Sequence, residues 1–316
     1  MFIRVLLSFS VQRCLILWFL LEINFLCFIG ILSQLINLSN PNSNLYYFLV
    51  QSLGRVIILF RLLCTRVLST PVFRICFFLA LLLKLGGAPF QFWYLKLIQK
   101  LDWGLIWVLS VWQKLIPLIL LSFSKLYLFR FFGGLRVLIG RITTWKQKNF
   151  KKIFGLSSVF SLGWLLVSLA LNKRIWLLFI SGYGISLLVL IVALSKINFI
   201  SSDRKGSPID PYRLVLFIMG LLMLRGIPPF IGFFLKVSIL VFVIKIRLLI
   251  GIRLLLARLY LIFIYLRIIF YRITFLRPKL SLDIRQKKLV LRELIVLNFF
   301  VVIFALSLLY CVIIHK

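Results

Sequence analysis

An all-α, polytopic membrane bundle of about ten transmembrane helices, two of them broken (near Pro89 and Pro228-Pro229), is the fold class that this sequence predicts. Three observations carry it. The 316 residues are 63% hydrophobic with a mean hydropathy of +1.13, more than a soluble core can absorb. The apolar residues come in bilayer-length runs and do not alternate with polar ones as in a barrel. Two of the runs are interrupted by glycine and proline, each beside a lysine.

In chain order the first clear span is about Leu15–Leu35, carrying Glu22-Ile23-Asn24. Residues 2–11 are too short to cross alone and are expected to extend that helix or to lie at the interface. Asn37 to Asn44 is a polar turn. The next spans are about Leu45–Cys64, the broken Val72–Leu97, Gly104–Ser122, Leu126–Ile142, Ile153–Leu171, Trp176–Leu194, the broken Tyr212–Ile246, Leu248–Ile269 and Leu289–Ile314. All belong to one integral membrane domain, residues 1–316. No cleavable signal peptide is apparent at the N-terminus.

The breaks are the informative part. In Lys84-Leu-Gly-Gly-Ala-Pro-Phe-Gln-Phe-Trp93 the proline removes an N–H and clashes with the preceding turn, so the helix is expected to stop near Pro89. Inside a bilayer such a stop is tolerated only where protein or a wet cavity bonds the freed backbone groups. Arg225-Gly-Ile-Pro-Pro-Phe-Ile-Gly232, followed by Lys236, repeats the arrangement with the lysine after the break. Paired broken segments of this kind point to an ion-transport site built on related repeats.

A net charge of +33 would ordinarily indicate nucleic acid or an anionic surface, but here the cations are scattered through and between apolar spans. No nucleic-acid partner is expected. With loops assigned alternately to two faces, Lys96/Lys100, Arg141 to Lys152, Arg204/Lys205/Arg213 and Arg272 to Arg292 share the more basic one. That face is the matrix or cytoplasmic side. The five cysteines are dispersed without a CxxC, and the one histidine, His315, is terminal, which excludes histidine-based metal, haem or triad chemistry. Gly182-Tyr-Gly184 lacks the rest of a dinucleotide fingerprint.

Of six acidic residues, Glu22 alone sits well inside an apolar run. Lys84, Lys114 (in Trp112-Gln-Lys-Leu-Ile-Pro117) and Lys236 each stand beside a proline-distorted segment. An intramembrane charge costs roughly 2.5–3.5 kcal/mol on insertion scales, so each should face a partner or water. An amine held in a dry site with a carboxylate nearby can take up and release a proton, as a relay requires.

In that order the motifs resemble the chain 2 subunits of mitochondrial NADH–ubiquinone oxidoreductase (complex I) of the shortened animal type. They are Leu21-Glu-Ile-Asn24, Lys84 to Trp93, Trp112 to Pro117, Lys152-Ile-Phe-Gly-Leu-Ser-Ser158, Leu162-Gly-Trp164, Gly226 to Gly232 with Lys236, and Tyr265-Leu-Arg267. The resemblance implies an antiporter-like subunit of a proton-translocating NADH:ubiquinone reductase, multi-pass in the mitochondrial inner membrane, basic loops on the matrix side. It implies hetero-oligomeric assembly with other membrane subunits of complex I, contact with the lipid bilayer, and no cofactor on this chain; NADH, FMN, iron–sulfur clusters and ubiquinone are used elsewhere in the complex. Glu22 and Lys84 are then the charge pair of one half-channel, Lys114 the central relay lysine and Lys236 the lysine near the exit. The alternative from the same residues is a stand-alone cation/proton antiporter subunit or secondary transporter.

Gln91 and Ser161 stand where that family usually has histidine, and Arg225 where it has glycine. Twenty-one arginines are present, several inside spans, among them Arg13, Arg55, Arg61, Arg225, Arg253 and Arg258. Some of them are expected to be codons that a mitochondrial code reads as another residue. Ordinary CGN codons at those positions would overturn that expectation.

Overall fold

The computed structural model describes residues 2–11, 13–35, 42–63, 71–123, 149–171, 175–195, 211–226, 230–246 and the positions 251, 252, 254–256, 258 and 259. All regular elements among them are helical. Helix α1 is Phe2–Ser10, α2 Cys14–Leu35, α3 Asn42–Leu63, α4 Pro71–Lys84 and α5 Phe92–Lys100. A third hydrophobic stretch runs as α6 (Trp103–Trp107), a π-helical turn (Val108–Trp112) and α7 (Gln113–Phe123). Then follow α8 (Phe150–Leu171), α9 (Ile175–Ser195), α10 (Pro211–Arg225) and α11 (Ile231–Ile246).

Among the described residues, five helical stretches are long and apolar enough to cross a membrane: Cys14–Gln34, Leu45–Leu63, Trp103–Phe123, Lys151–Leu171 and Ile175–Leu194. Each lies within a few residues of an expected span. The expected spans at 126–142 and 289–314, and most of 248–269, fall outside the described residues. Residues 2–11 do not extend the first span. They form the separate α1, which folds back along α2, with Arg4 donating to the Ile23 carbonyl (3.3 Å) and to Cys27 Sγ (2.6 Å).

The residues group into two compact units, 1–163 and 164–316. In the first, α2, α3, α5, α6 and α8 share a core in which Phe25, Tyr47, Trp93 and Tyr94 touch in series at ring separations of 5.7, 5.7 and 5.8 Å. The span Trp103–Phe123 is 72% buried and Leu45–Leu63 only 22%, which puts the former inside the bundle and the latter at its edge. Leu45, Leu49, Leu53, Val56 and Phe60 form the exposed stripe of α3, an apolar face that suits a hydrocarbon environment. In the second unit α9, α10 and α11 pack on one another.

The first break is made by glycine, three residues before the proline expected to cause it. Gly86 takes φ of 63°, a left-handed conformation that closes a helix end cheaply only without a Cβ. Its N–H bonds the Leu83 carbonyl at 3.1 Å, and the Gly87 N–H bonds Leu82 at 3.0 Å, the double closure of a Schellman end. Pro89 follows in a cis peptide, after the helix has already ended. Gly226 (φ 68°) ends α10 similarly, bonding the Leu222 and Met223 carbonyls at 3.1 Å each; Pro228 and Pro229 lie outside the described residues.

Gly86→Ala should destabilise the protein by about 1–2 kcal/mol from the left-handed backbone alone. The added methyl would also stand 2.8 Å from Tyr94 Cβ. A fall in the thermal unfolding temperature of the purified assembly is the expected readout, whereas Gly104→Ala, where a Cβ meets nothing within 4 Å, should lack this steric penalty.

Candidate functional site

The end of α4 determines what Lys84 can do. A helix leaves its last four carbonyls without intrahelical partners. Here all four are bonded by other groups: Leu81 by the Leu85 N–H (3.0 Å), Leu82 by Gly87, Leu83 by Gly86 and by Trp93 Nε1 (3.0 Å), and Lys84 by Gln51 Nε2 (3.3 Å). The Lys84 amine is thereby relieved of capping. It is buried, its stem runs along Gly54 of α3, and its Nζ has no hydrogen-bond partner among the described residues.

Glu22 of α2 is ion-paired with Arg55 of α3. Arg55 also lies over the Phe25 ring, 4.2 Å from its centroid, and its own carbonyl accepts from Trp18 Nε1 at 3.3 Å. The direct Glu22–Lys84 pair that the resemblance implies is therefore not formed in this structure; the guanidinium on the neighbouring turn of α3 holds the carboxylate.

Lys84 and Lys114 do come together around one space. A cavity of about 20 Å³, the size of a single water, is lined by Asn24, Gln51, Lys84, Tyr94, Gln113 and Lys114 together with apolar side chains. Lys114 is buried, with Nζ 5.1 Å from the Tyr94 ring centroid, close enough for a cation–π contact. Asn24 Nδ2 donates to Gln113 Oε1 at 3.0 Å and ties α2 to α7 beside it. The π-helical turn at Val108–Trp112 immediately precedes Gln113, and Pro117 sits inside α7 without an N–H for the Gln113 carbonyl. Lys114 thus lies between a widened turn, which the sequence did not announce, and the proline that its sequence context shows.

Lys236 is placed differently. In the second unit its Nζ donates to the carbonyls of Leu224 (2.8 Å) and Arg225 (3.0 Å), and Arg258 donates to that of Gly226 (2.6 Å). Cations there also complement the negative end of the α10 dipole. The second break, with its lysine after the glycine, is closed by side-chain charge; the first is closed by neutral donors.

Gln51, Tyr94 and Arg55 entered the site without being singled out for it. An amide or arginine inside an apolar run was signal enough that a partner was required, though not which one. Of the two positions lacking the usual histidine, Gln91 is buried, with no hydrogen-bond partner for Oε1 among the described residues, and Ser161 donates to the Ser158 carbonyl at 2.8 Å. Among the described residues no three His, Cys, Asp or Glu cluster as metal ligands.

Residues 65–260 match the family model described as NADH:quinone oxidoreductase/Mrp antiporter, transmembrane. The chain belongs to this family. Among curated relatives it is 31% identical over 227 residues to NADH-ubiquinone oxidoreductase chain 2 of Anopheles gambiae, covering 68% of this chain and 67% of that one. To the chain 2 of Rhipicephalus sanguineus it is 28% identical, covering 81% and 82%. The family fold is shared with a chain in the structure of respiratory complex I from Thermus thermophilus with bound aureothin, at a TM-score of 0.70 and 19% identity, covering 81% of this chain and 65% of that one. A chain of the Mrp complex from Dietzia sp. DQ12-45-1b shares it at a TM-score of 0.54 and 19% identity, covering 70% and 50%.

Arg55→Ser should leave Glu22 without its ion pair and cost about 1.5–3 kcal/mol, the range for a hydrogen bond to a charged group. The check is the unfolding temperature of the assembly with and without Glu22→Gln: the two losses should not add, since they remove one interaction.

Proposed function

We propose that this chain is a proton-translocating membrane subunit of respiratory complex I, working with the complex's other membrane subunits in the mitochondrial inner membrane. The family match and the chain 2 relatives support the assembly, and one observation supports the chemistry: two buried lysines, Lys84 and Lys114, line a single water-sized cavity. Lysine is a flexible amine able to give up its proton when buried, while arginine is not, so a pair of lysines at one water site can pass a proton between them. Glu22, Lys84, Lys114 and Lys236 are the groups we assign to the path. Electron transfer from NADH to ubiquinone, with its FMN and iron–sulfur clusters, belongs to the rest of the complex.

The partners set the two lysines apart. Lys236 donates to two carbonyls at the end of α10 and is tied to that helix end. Lys84, whose carbonyl neighbours are already bonded, is free to respond to Glu22 whenever that carboxylate leaves Arg55. The matrix-side placement of the basic loops is part of the same proposal.

A second reading, a stand-alone cation/proton antiporter subunit, draws on the Mrp neighbour. Co-purification separates them: the chain should travel with NADH-oxidising activity in one large assembly.

Lys114→Ala in the assembled complex should lower protons pumped per NADH oxidised while the complex still forms, and wild-type pumping would reject the relay. Glu22→Gln should likewise reduce pumping more than assembly. The two quantities are read from a pH-sensitive dye in coupled vesicles and from the amount of intact complex.

A further inference from the structure

Tyr94 connects the lysine cavity to α8. Its ring lines the cavity and lies under the Lys114 amine, while its hydroxyl accepts from Ser158 Oγ at 2.6 Å. Both residues are buried. Ser158 Oγ is also 2.8 Å from the Gly155 carbonyl, a second acceptor for its proton.

A serine hydroxyl has one hydrogen and cannot serve both acceptors fully, so two arrangements are open. In one, Ser158 donates to Tyr94, and the phenol proton turns away from Ser158. In the other, Ser158 donates to Gly155, the phenol donates to Ser158, and a phenol lone pair is left on the side away from Ser158. Only hydrogens move between the two. The ring itself is fixed, because Gly86 stands directly against Tyr94 Cβ and Cγ, and Trp93 packs edge-on at 5.8 Å.

The cavity needs that choice. A charged lysine offers three donors and no acceptor, whereas a neutral amine offers a lone pair. A water accepting from charged Lys114 has to donate onward, and a water donating to neutral Lys114 has to be donated to. We propose that the phenol oxygen presents its free side to the cavity, so that Tyr94 and Ser158 form a two-position hydroxyl switch that turns with the charge of Lys114 and orients a water shared by Lys84 and Lys114. Both are positioning residues, and the inference rests on the relay function assigned to Lys114.

The test is made in the intact complex, reading protons pumped per NADH, NADH oxidation and assembly together. Tyr94→Phe keeps the ring and its packing and removes the hydroxyl; pumping per NADH should fall roughly twofold or more, as for loss of one hydrogen bond, with oxidation maintained. Ser158→Ala should give the same loss, Ser158→Thr should restore pumping by returning a hydroxyl, and the double variant should be no worse than either single one. Unchanged pumping in Tyr94→Phe, additive losses in the double variant, or a Ser158→Thr protein as poor as Ser158→Ala would each overturn the switch. If Tyr94→Phe assembles poorly, the comparison of Ser158→Ala with Ser158→Thr decides alone. Lys114→Ala separates the two levels: wild-type pumping there removes the relay itself, whereas lost pumping there with a silent Tyr94→Phe removes only the switch.

Discussion

A carbonyl freed by a helix break inside a bilayer has to be bonded by something, and the two ways this chain meets that obligation give its two broken-helix lysines different tasks. At the end of α4 the donors are backbone N–H groups, an indole and an amide, all neutral. None of the charge nearby is consumed in closing the helix, and the Lys84 amine remains available to the cavity. At the end of α10 the donors to the final carbonyls are Lys236 and Arg258. There the positive charge is part of the closure. The difference goes with the reversed order of lysine and break in the two copies: Lys84 stands on the helix that stops, whereas Lys236, on the following helix, reaches back to the last carbonyls of α10.

The same economy governs Glu22. Desolvation makes an isolated carboxylate expensive in this environment, and Arg55 on the adjacent helix meets it with a guanidinium that does not deprotonate. That pair sits beside Lys84, whose stem crosses α3 at Gly54, and Arg55 acts on the lysine through space. While Arg55 holds Glu22, the carboxylate is committed to that guanidinium, so the electrostatics of the cavity depend on a contact outside its lining.

Much of this was legible in the sequence because span length and apolar content are one-dimensional properties. Trp103–Phe123 and Ile175–Leu194 fall within one residue at each end of the runs read from hydropathy alone. The stops were legible in kind, though the wrong residue was credited for the first: proline is the stronger helix breaker, but the left-handed Gly86 acts earlier in the chain. Lys84 and Lys114 announced themselves as charges in oil. Their shared cavity did not, because it depends on the rotation of five helices about their axes, and the amides that line it look ordinary along the chain. The partner of Glu22 was hidden for the same reason, since a carboxylate on α2 faces several cations in sequence and packing alone selects Arg55.

The arginines follow from this geometry as well. Arg55 and Arg258 have definite roles, an ion pair and a carbonyl cap, and both are made by the long planar head reaching across a helix gap. A short hydroxyl at either place would not span that gap. Glu22 would then have to turn elsewhere, and Lys84, already relieved of capping, is the amine next to Arg55. The identity of residue 55 therefore decides between two electrostatic arrangements of the same fold, one with the acid locked against α3 and one with it free to engage the cavity's lysine. Neither alternative changes the helices, the glycine stops or the cavity, because none of those is built from the arginine.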